Sequence, residues 1–415
     1  MRTSIVVLAV LLLASSAQSQ VDTDARATNQ LYEQGPINPV IPHQANAGYG
    51  NSSVLQVGDK VRMYTTGIDD FSCIAAGNCH DKIWLWENPN TWAGWNTPYT
   101  RAAAPLLPSA NCTGSTPNAC RTSYNYSLSG AWQNPSGTGN SKLYLLAGTG
   151  NVQHRWPEVL IGESSDGGKA FKYKGLVQST NGIAFVQIAW QPLLIDNVWR
   201  LFGYVDFKYH PENRSDGRND QGLGAILFTP SFTAPFLIDA NSTLEVWSGG
   251  TWKNVGRCAA GSQYTFCLGF DADPDLPAAY KGGANRHPDL YKMKRYGNAL
   301  ELWASGGAAD TCVCDRESGW QNVFVYFPVT TPTSRSQDPF SLIGPRKQLL
   351  QTATKIRCNP GSYSQSRKHP TRLEWTYNLI YTREFARPDE ITKDCPAPDA
   401  GPYGWIIATQ LTTDY

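Results

Sequence analysis

Residues 60–67 read Lys-Val-Arg-Met-Tyr-Thr-Thr-Gly, a short run of apolar, aromatic and β-branched residues that ends in small ones. Residues of these types favour a half-buried β-strand. Similar runs recur at residues 142–148, 198–204, 299–305 and 373–381. Gly, Asn, Asp, Ser and Pro separate them from further extended segments, as in short strands joined by turns. No segment keeps an apolar helical stripe for more than three turns, so the sequence predicts an all-β chain.

The spacing of these runs predicts the architecture. The runs lie roughly 55 to 100 residues apart, more than a minimal propeller blade of about 40 to 50 residues, so each unit carries long loops. We predict a five-bladed β-propeller that forms a single domain over residues 20–415, because a ring of blades leaves only short, protected sheet edges. A two-sheet sandwich, or a pair of sandwich domains, is the alternative. Residues 403–411 have no partner nearby in the sequence, so we expect them to pair with an early segment and close the ring.

The N-terminus has the pattern of a secretory signal peptide over residues 1–19. Arg2 supplies the positive charge, residues 5–14 are apolar, and Ala17 and Ser19 are the small residues before the cleavage point. The apolar run is too short to span a bilayer, although an uncleaved anchor is the alternative. We therefore expect a secreted, extracellular protein, or a periplasmic one if the source is bacterial.

The cysteines agree with an oxidising compartment, since the chain has ten of them. Three pairs are separated by short polar or glycine-containing loops that bring their Cα atoms within bridging range, namely Cys73/Cys79, Cys112/Cys120 and Cys258/Cys267. Four cysteines remain, Cys312, Cys314, Cys358 and Cys395, and their two longer links have three solutions that the sequence leaves open.

Five Asn-x-Ser/Thr sequons occur, at Asn51, Asn111, Asn125, Asn213 and Asn241. They are glycosylated only in a eukaryotic secretory pathway. A polar, Asn-rich bacterial protein would contain several by chance, so both origins stay open.

The charge balance excludes several partner classes. The chain has 35 Lys and Arg against 34 Asp and Glu, so neither nucleic acid nor an anionic membrane is an expected partner. Its six histidines are scattered without an HExxH-like pair, so we expect no metal site and no cofactor. We expect a monomer that binds carbohydrate, for the reasons that follow.

Residues 163–171 read Glu-Ser-Ser-Asp-Gly-Gly-Lys-Ala-Phe. The run resembles the Asp box of sialidase-type propellers, Ser-x-Asp-x-Gly-x-x-aromatic, which is a turn between the third and fourth strands of a blade. The resemblance implies a structural role, in which Asp166 bonds nearby backbone amides, the glycines allow positive φ and Phe171 packs between blades.

The strand rhythm over residues 45–411 resembles that of the five-bladed propellers of the arabinanase and fructosidase superfamily of glycoside hydrolases. In those enzymes, three acids on the inner strands of the first three blades line the central funnel, in Asp-Pro, Asp and Glu-x-Pro contexts. Here the matching positions read Asn51-Ser52-Ser53 in the first blade and Trp190-Gln191-Pro192 in the third, and neither is acidic. Either the acids lie elsewhere on the funnel, or the propeller binds without cutting.

Glycosidic cleavage needs one carboxyl to protonate the leaving oxygen and a second carboxylate to attack or to activate water. We predict these carboxyls among Asp289, Glu158 and Asp206. Asp289 is the leading candidate, because Pro288 starts an extended segment and so places Asp289 at the channel end of an inner strand. The alternative is that Asp289 caps a turn. Glu158 precedes the Asp box, where it would otherwise face a neighbouring blade. Asp206 follows a predicted strand at a funnel-rim position, although turn aspartates are common there.

Sugar recognition needs flat aromatic surfaces and hydrogen-bonding groups. We predict His287, Trp190 and Asp70 as substrate-binding residues; Asp70 follows residues 60–67 as Asp206 follows residues 198–204. The leading hypothesis is a secreted glycoside hydrolase that acts on a polysaccharide or oligosaccharide. The competing hypothesis is a carbohydrate-binding propeller without catalysis, a lectin or adhesion module. A lyase that uses His287 with a nearby tyrosine is a third.

Overall fold

The structure is a computed structural model of the chain. It describes residues 47–70, 72–75, 80–89, 98–108, 125–135, 142–150, 158–179, 183–209, 221–232, 236–268, 289–296, 299–305, 324–344, 347–349, 357–368, 375–384 and 405–414.

The described residues form five β-sheets. The first contains β1 (Gly48–Val57), β2 (Lys60–Ile68), β3 (Lys82–Pro89) and β4 (Thr100–Arg101). The second is built on β5 (Asn125–Gln133), β6 (Leu143–Gly150), β7 (Glu158–Ser164) and β8 (Lys172–Ser179). The third contains β9 (Ile183–Ile195), β10 (Val198–Tyr209), β11 (Gln221–Thr229), β12 (Thr243–Ser248) and β13 (Thr251–Asn254). Two short strands, β14 (Gly256–Arg257) and β15 (Phe266–Leu268), extend the second sheet.

The C-terminal part supplies the last two sheets. The fourth contains β16 (Asp289–Tyr296), β17 (Ala299–Ser305), β18 (Phe324–Val329) and β19 (Lys347–Leu349). The fifth contains β20 (Arg357–Lys368), β21 (Trp375–Glu384) and β22 (Trp405–Asp414). A four-residue helix, α1 (Ser72–Ala75), follows β2.

Consecutive strands within each sheet pair antiparallel, so each sheet is a meander. The five runs predicted as counterparts form the second strand of the five sheets, namely β2, β6, β10, β17 and β21. The prediction of an all-β chain with five equivalent units is therefore confirmed.

The first strands of the sheets form a ring. In chain order β1 contacts β5, β5 contacts β9, β9 contacts β16 and β16 contacts β20, and β20 returns to contact β1. A circular series of contacts between the first strands of five meanders defines a five-bladed β-propeller, in which these are the inner strands. The predicted fold is confirmed.

The last strand lies beside an early segment as predicted, because β22 contacts β1, but the predicted pairing between them is wrong. Residues 405–414 form β22, which pairs antiparallel with β21 of the same blade, whereas the ladder partner of β1 is β2. The reason is that β21 has an unpaired edge in the fifth sheet, and β22 pairs with that edge in the antiparallel direction. Across the described residues the ring closes through packing of β20, β21 and β22 against β1 and not through a shared ladder.

Residues 256–268 cross back from the third blade to the second. There β15 pairs parallel with β8 and covers the outer edge of that blade, an edge that would otherwise be open to another strand. The predicted Cys258–Cys267 disulfide is confirmed, with its Cα atoms 4.9 Å apart, and it ties β14 to β15. Cys73 is also disulfide-bonded. Cys79, Cys112 and Cys120 lie outside the described residues.

The core is a set of layers between blades. Neighbouring residues of a strand point to opposite faces of its sheet. Tyr64 of β2 accordingly joins an apolar cluster with Tyr126 and Leu145 of the second blade, while Met63 joins the cluster on the other face of the first blade. Two further clusters join the second blade to the third and the third to the fourth.

The Asp box lies between β7 and β8, the third and fourth strands of the second blade, as the resemblance implies. The Asp166 carboxylate accepts hydrogen bonds from the Lys169 and Ala170 amides at 3.0 and 3.1 Å and from Ser164 Oγ at 2.6 Å. Ser164 Oγ in turn accepts one from the Gly168 amide at 2.7 Å. These bonds give the turn its fixed shape.

The Asp box also clamps the first two blades together. The Phe171 ring packs edge-on against Tyr64 with centroids 5.7 Å apart, and the Tyr64 hydroxyl donates to the Gly168 carbonyl at 3.0 Å. Gly168 has φ +90°, and a Cβ there would lie 2.0 Å from Tyr64 Oη. Only glycine combines this backbone conformation with this contact.

We expect Gly168→Ala to destabilise the protein more than Gly250→Ala. Gly250 also has positive φ, +75°, but a Cβ there would meet nothing within 4 Å. Backbone strain alone should therefore lower the free energy of unfolding of the Gly250 variant, by about 1–2 kcal/mol. In the Gly168 variant overpacking should lower it by about 1–3 kcal/mol more. Denaturant unfolding measures both, and equal losses would contradict the clamp.

Asp166 should make stability depend on pH. Partial burial opposes its ionisation, but the hydrogen bonds from Ser164, Ala170 and Lys169 outweigh that effect and lower the pKa of the carboxyl. Because the pKa in the folded state lies below the value of about 3.9 in unfolded chains, the stabilisation is present above that value and is lost as pH falls through the folded pKa.

We therefore expect Asp166→Ala to have a lower Tm than the unmodified protein at pH 7. The difference between the two Tm values should become smaller as pH falls below about 4. Asp59→Ala, in the exposed turn between β1 and β2, is the control and should leave Tm nearly unchanged at both pH values. If the difference in Tm between Asp166→Ala and the unmodified protein is the same at pH 7 and at low pH, the ionised Asp166 carboxylate does not stabilise the fold.

Candidate functional site

The first four blades share one orientation. Ser53 Oγ of β1 accepts from the Ala131 amide, and the Gln56 carbonyl accepts from the Gln133 side chain, so β5 runs in the same direction as β1. Blade two is joined to blade three by the Phe236 amide, which donates to Glu163 near the end of β7. Blade three is joined to blade four by the Asp196 amide, which donates to the Thr333 carbonyl.

These bonds distinguish two ends of the propeller. We call the end at which β1, β5, β9 and β16 begin the top face, and the opposite end the bottom face. The hairpins that join first to second strands lie at the bottom face, as at residues 58–59 and 196–197. The inner strands begin at the top face, and Asp289 is the first residue of β16 there, so we take the top face as the candidate site.

Each of the first four blades has an acid at or near its top end. Asp289 is the first residue of the inner strand β16, with Ser305 of β17 as its partner across the ladder. Glu158 is the first residue of β7, and Asp70 follows the end of β2. Asp206 lies inside β10, opposite Gln187 and Leu223. Its predicted position after the strand is therefore wrong, because β10 continues to Tyr209. His287 lies outside the described residues.

Asp70 has a local structural task. Its carboxylate accepts a hydrogen bond from the Ser72 amide at 2.9 Å, and hydrogen bonds from the side chain and backbone of Ser72 lower the pKa of Asp70. This is the geometry of a residue that caps the first turn of α1. Beside it, Asp69 is paired with Lys82 at 2.8 Å. The turn-capping alternative for Asp70 therefore has direct structural support, and its role in substrate binding stays a prediction.

Glu158 is buried, with only 4% of its surface exposed. Its neighbours across the ladder are Thr149 of β6 and Gln178 of β8, in the middle of the second blade. A substrate that approaches from the channel would therefore meet the first two strands of the blade before it met Glu158.

The prediction that Trp190 binds substrate is wrong. Its ring is buried, with 5% exposed, and stacks on Phe228 with centroids 6.0 Å apart in the core between blades two and three. It lies over Gly203 of β10, where a Cβ would come within 2.2 Å of Trp190 Cδ1. The glycine opposite Trp190 makes room for the ring inside the blade, so no flat face is left for a sugar.

Within the described bounds of β1, β5, β9, β16 and β20, Asp289 is the sole carboxylate. Two side chains within the segments compared with the superfamily acids have a structural role here. Ser53 Oγ accepts from the Ala131 amide of β5 at 3.0 Å, and the Gln191 side chain donates to the Met293 carbonyl of β16 at 2.8 Å. Both side chains bind the backbone of the next inner strand.

Two more hydroxyls make the same kind of contact. Thr66 Oγ1 accepts from the Leu128 amide at 2.8 Å, and Ser129 Oγ accepts from the Ile188 amide at 3.4 Å. We call Ser53, Thr66, Ser129 and Gln191 the seam residues. Sequence reasoning missed them, because a hydroxyl or amide in a strand reads as an ordinary polar position.

In the ranges that the structure describes, no group of three or more His, Cys, Asp and Glu side chains is arranged to hold a metal ion. No helix within those ranges is long and apolar enough to cross a membrane.

Comparison with known proteins gives structural likenesses only. No protein-family model matches the chain, and no curated protein sequence matches it. Solved structures that are similar include a candidate glycoside hydrolase from Parabacteroides distasonis, with 10% identity, coverage of 92% of this chain and 96% of that one, and a TM-score of 0.48. An inulosucrase from Halalkalicoccus jeotgali bound to kestose has 10% identity, covers 92% and 90%, and has a TM-score of 0.47.

A GH43_1 enzyme from Xanthomonas citri has 11% identity to this chain, covers 94% and 92%, and has a TM-score of 0.46. Because these TM-scores lie below 0.5, the fold assignment rests on the sheet order and on the ring of inner strands described above.

The seam predicts the effect of placing an acid at position 191. Gln191→Glu removes the donor to the Met293 carbonyl and sets a carboxylate oxygen against a carbonyl oxygen. We expect a loss of about 1–3 kcal/mol in the free energy of unfolding. Gln133→Glu is the control, because Gln133 makes the same kind of bond to the Gln56 carbonyl at an exposed position where water replaces it. If both variants lose the same free energy of unfolding, the bond from Gln191 to β16 does not stabilise the protein.

Proposed function

We propose that the protein is a secreted glycoside hydrolase whose site is the top face of the propeller. The observation that carries the proposal is the acid that each of four successive blades places there, with Asp289 at the start of an inner strand. Cleavage of a glycosidic bond needs two carboxyls within about 5 to 9.5 Å of each other, and a ring of blades is a scaffold that can bring acids from different blades together.

In this proposal Asp289 is one of the two carboxyl catalysts. It is the acid on the strand nearest the channel, where a substrate would lie. The second carboxyl comes from Glu158, the first residue of β7, or from Asp206, which lies inside β10 toward the same face. His287, two residues before Asp289, remains a predicted sugar-binding residue.

The substrate is a polysaccharide or an oligosaccharide. The support is the resemblance of the strand rhythm to the arabinanase and fructosidase superfamily and the N-terminal segment that predicts export. The near balance of positive and negative residues disfavours a strongly charged polymer.

One observation favours a second candidate, a carbohydrate-binding propeller without catalysis. The inner strands other than β16 have no carboxylate within their described bounds, and Ser53 and Gln191 are engaged in the seam. A lectin needs hydroxyl and amide groups at such a surface, not paired acids.

The test is the turnover of Asp289→Asn on a panel of polysaccharides and oligosaccharides. The substitution keeps the size of the side chain and removes the acid, so we expect a loss of at least about 100-fold in kcat. Asp59→Asn, at an exposed bottom-face turn, is the matched control and should keep full activity. Circular dichroism and Tm show that both variants fold.

The turnover of Asp289→Asn and of the unmodified protein tests two separate claims, the role of Asp289 and the glycosidase activity itself. Near-normal turnover of folded Asp289→Asn would remove Asp289 from the mechanism and direct the same substitution to Glu158 and Asp206. If the unmodified protein cleaves nothing on the panel but binds sugars in calorimetric titration, the glycosidase proposal is wrong and the binding candidate is correct.

A further inference from the structure

The sequons differ in where the fold places them. Asn51 lies inside β1 and Asn125 is the first residue of β5, both on inner strands near the top face. Asn241 lies at the bottom face, in the connection from β11 to β12. Asn111 and Asn213 lie outside the described residues.

Asn241 is exposed in a turn whose shape is fixed by its neighbours. Asp239 Oδ1 accepts from the Asn241 amide at 2.8 Å and from the Ser242 amide at 3.1 Å. The Ser242 hydroxyl is buried beneath the turn and accepts from the Asp239 amide at 3.0 Å. The polar groups of the turn are thus satisfied by its own backbone and by these two side chains, while the Asn241 side chain is exposed to solvent.

The base of the turn is held by Arg257. Its guanidinium donates to the carbonyls of Asp239 at 3.0 Å and Ala240 at 3.3 Å, and it also donates to the Ser242 carbonyl. The Arg257 guanidinium rests on the Phe266 ring, 4.5 Å from its centroid, within the hairpin closed by Cys258–Cys267. A bulky group on Asn241 would therefore project into solvent without disturbing the packing below.

We propose that Asn241 is an N-glycosylation site of this protein in a eukaryotic secretory pathway. The sequon is Asn241-Ser242-Thr243, and Thr243 begins β12 directly after the turn. The oligosaccharide comes from a lipid-pyrophosphate donor. The bond from its C1 atom to the phosphate oxygen breaks, a bond from C1 to Asn241 Nδ2 forms, one Nδ2 proton leaves, and the lipid pyrophosphate is released.

The proposal goes beyond the carbohydrate chemistry of the top face, which is at the opposite end. A glycan on Asn241 would leave the top face open, whereas Asn51 and Asn125 lie on strands near that face.

The test uses the full chain, expressed in a eukaryotic secretory host and purified from the medium. Peptide mapping with and without N-glycosidase should show a glycan on Asn241. Thr243→Ala should lose that glycan and Thr243→Ser should keep it, because serine preserves the sequon. The intact mass of Asn241→Gln should fall by the mass of one glycan, which covers the case in which a Thr243 variant fails to fold.

Secreted, folded protein whose Asn241 peptide carries no glycan would overturn the proposal. So would a glycan that persists on Asn241 in Thr243→Ala. Neither result depends on whether the protein cleaves carbohydrate, because glycosylation is measured by mass and the glycosidase proposal by turnover.

Discussion

The inner edge of each blade is the constraint on which the rest of the structure depends. The first strand of every blade is the edge of its sheet, so half of its backbone N–H and C=O groups have no ladder partner. In the first four blades, hydroxyl and amide side chains of the preceding blade satisfy some of these groups. Ser53 and Thr66 serve β5, Ser129 serves β9 and Gln191 serves β16.

The seam bears directly on function. A position that satisfies the backbone of a neighbouring inner strand cannot also present an acid to a substrate, because the replacement would leave a buried backbone group unpaired. Ser53 and Gln191 are held in this way, so the proposed catalytic acids lie at other positions. These are Asp289 on β16, Glu158 on β7 and Asp206 on β10.

The bottom face is fastened by bonds between blades. The Asp box joins the second blade to Tyr64 of the first, and Glu163 binds the Phe236 amide of the third. Arg335 of the fourth blade binds the buried Glu245 of the third, whose pKa is raised because desolvation by burial outweighs the attraction of Arg335 and Arg200. These contacts hold neighbouring blades together at the end opposite the candidate site.

The sequence by itself determined the features that depend on local residue patterns. The five counterpart strands, the Asp box and the Cys258–Cys267 link were predictable, because strand periodicity, turn chemistry and a short loop between cysteines act over a few residues. The tertiary structure alone decided the rest. Trp190 lies in the core because Phe228 and Gly203 receive it, β22 pairs with β21 inside its own blade, and residues 256–268 return to cover β8. Ser53 and Gln191 became seam residues in the same way. Each outcome depends on which distant segment lies opposite, and that is set by the closure of the ring, which no local pattern encodes.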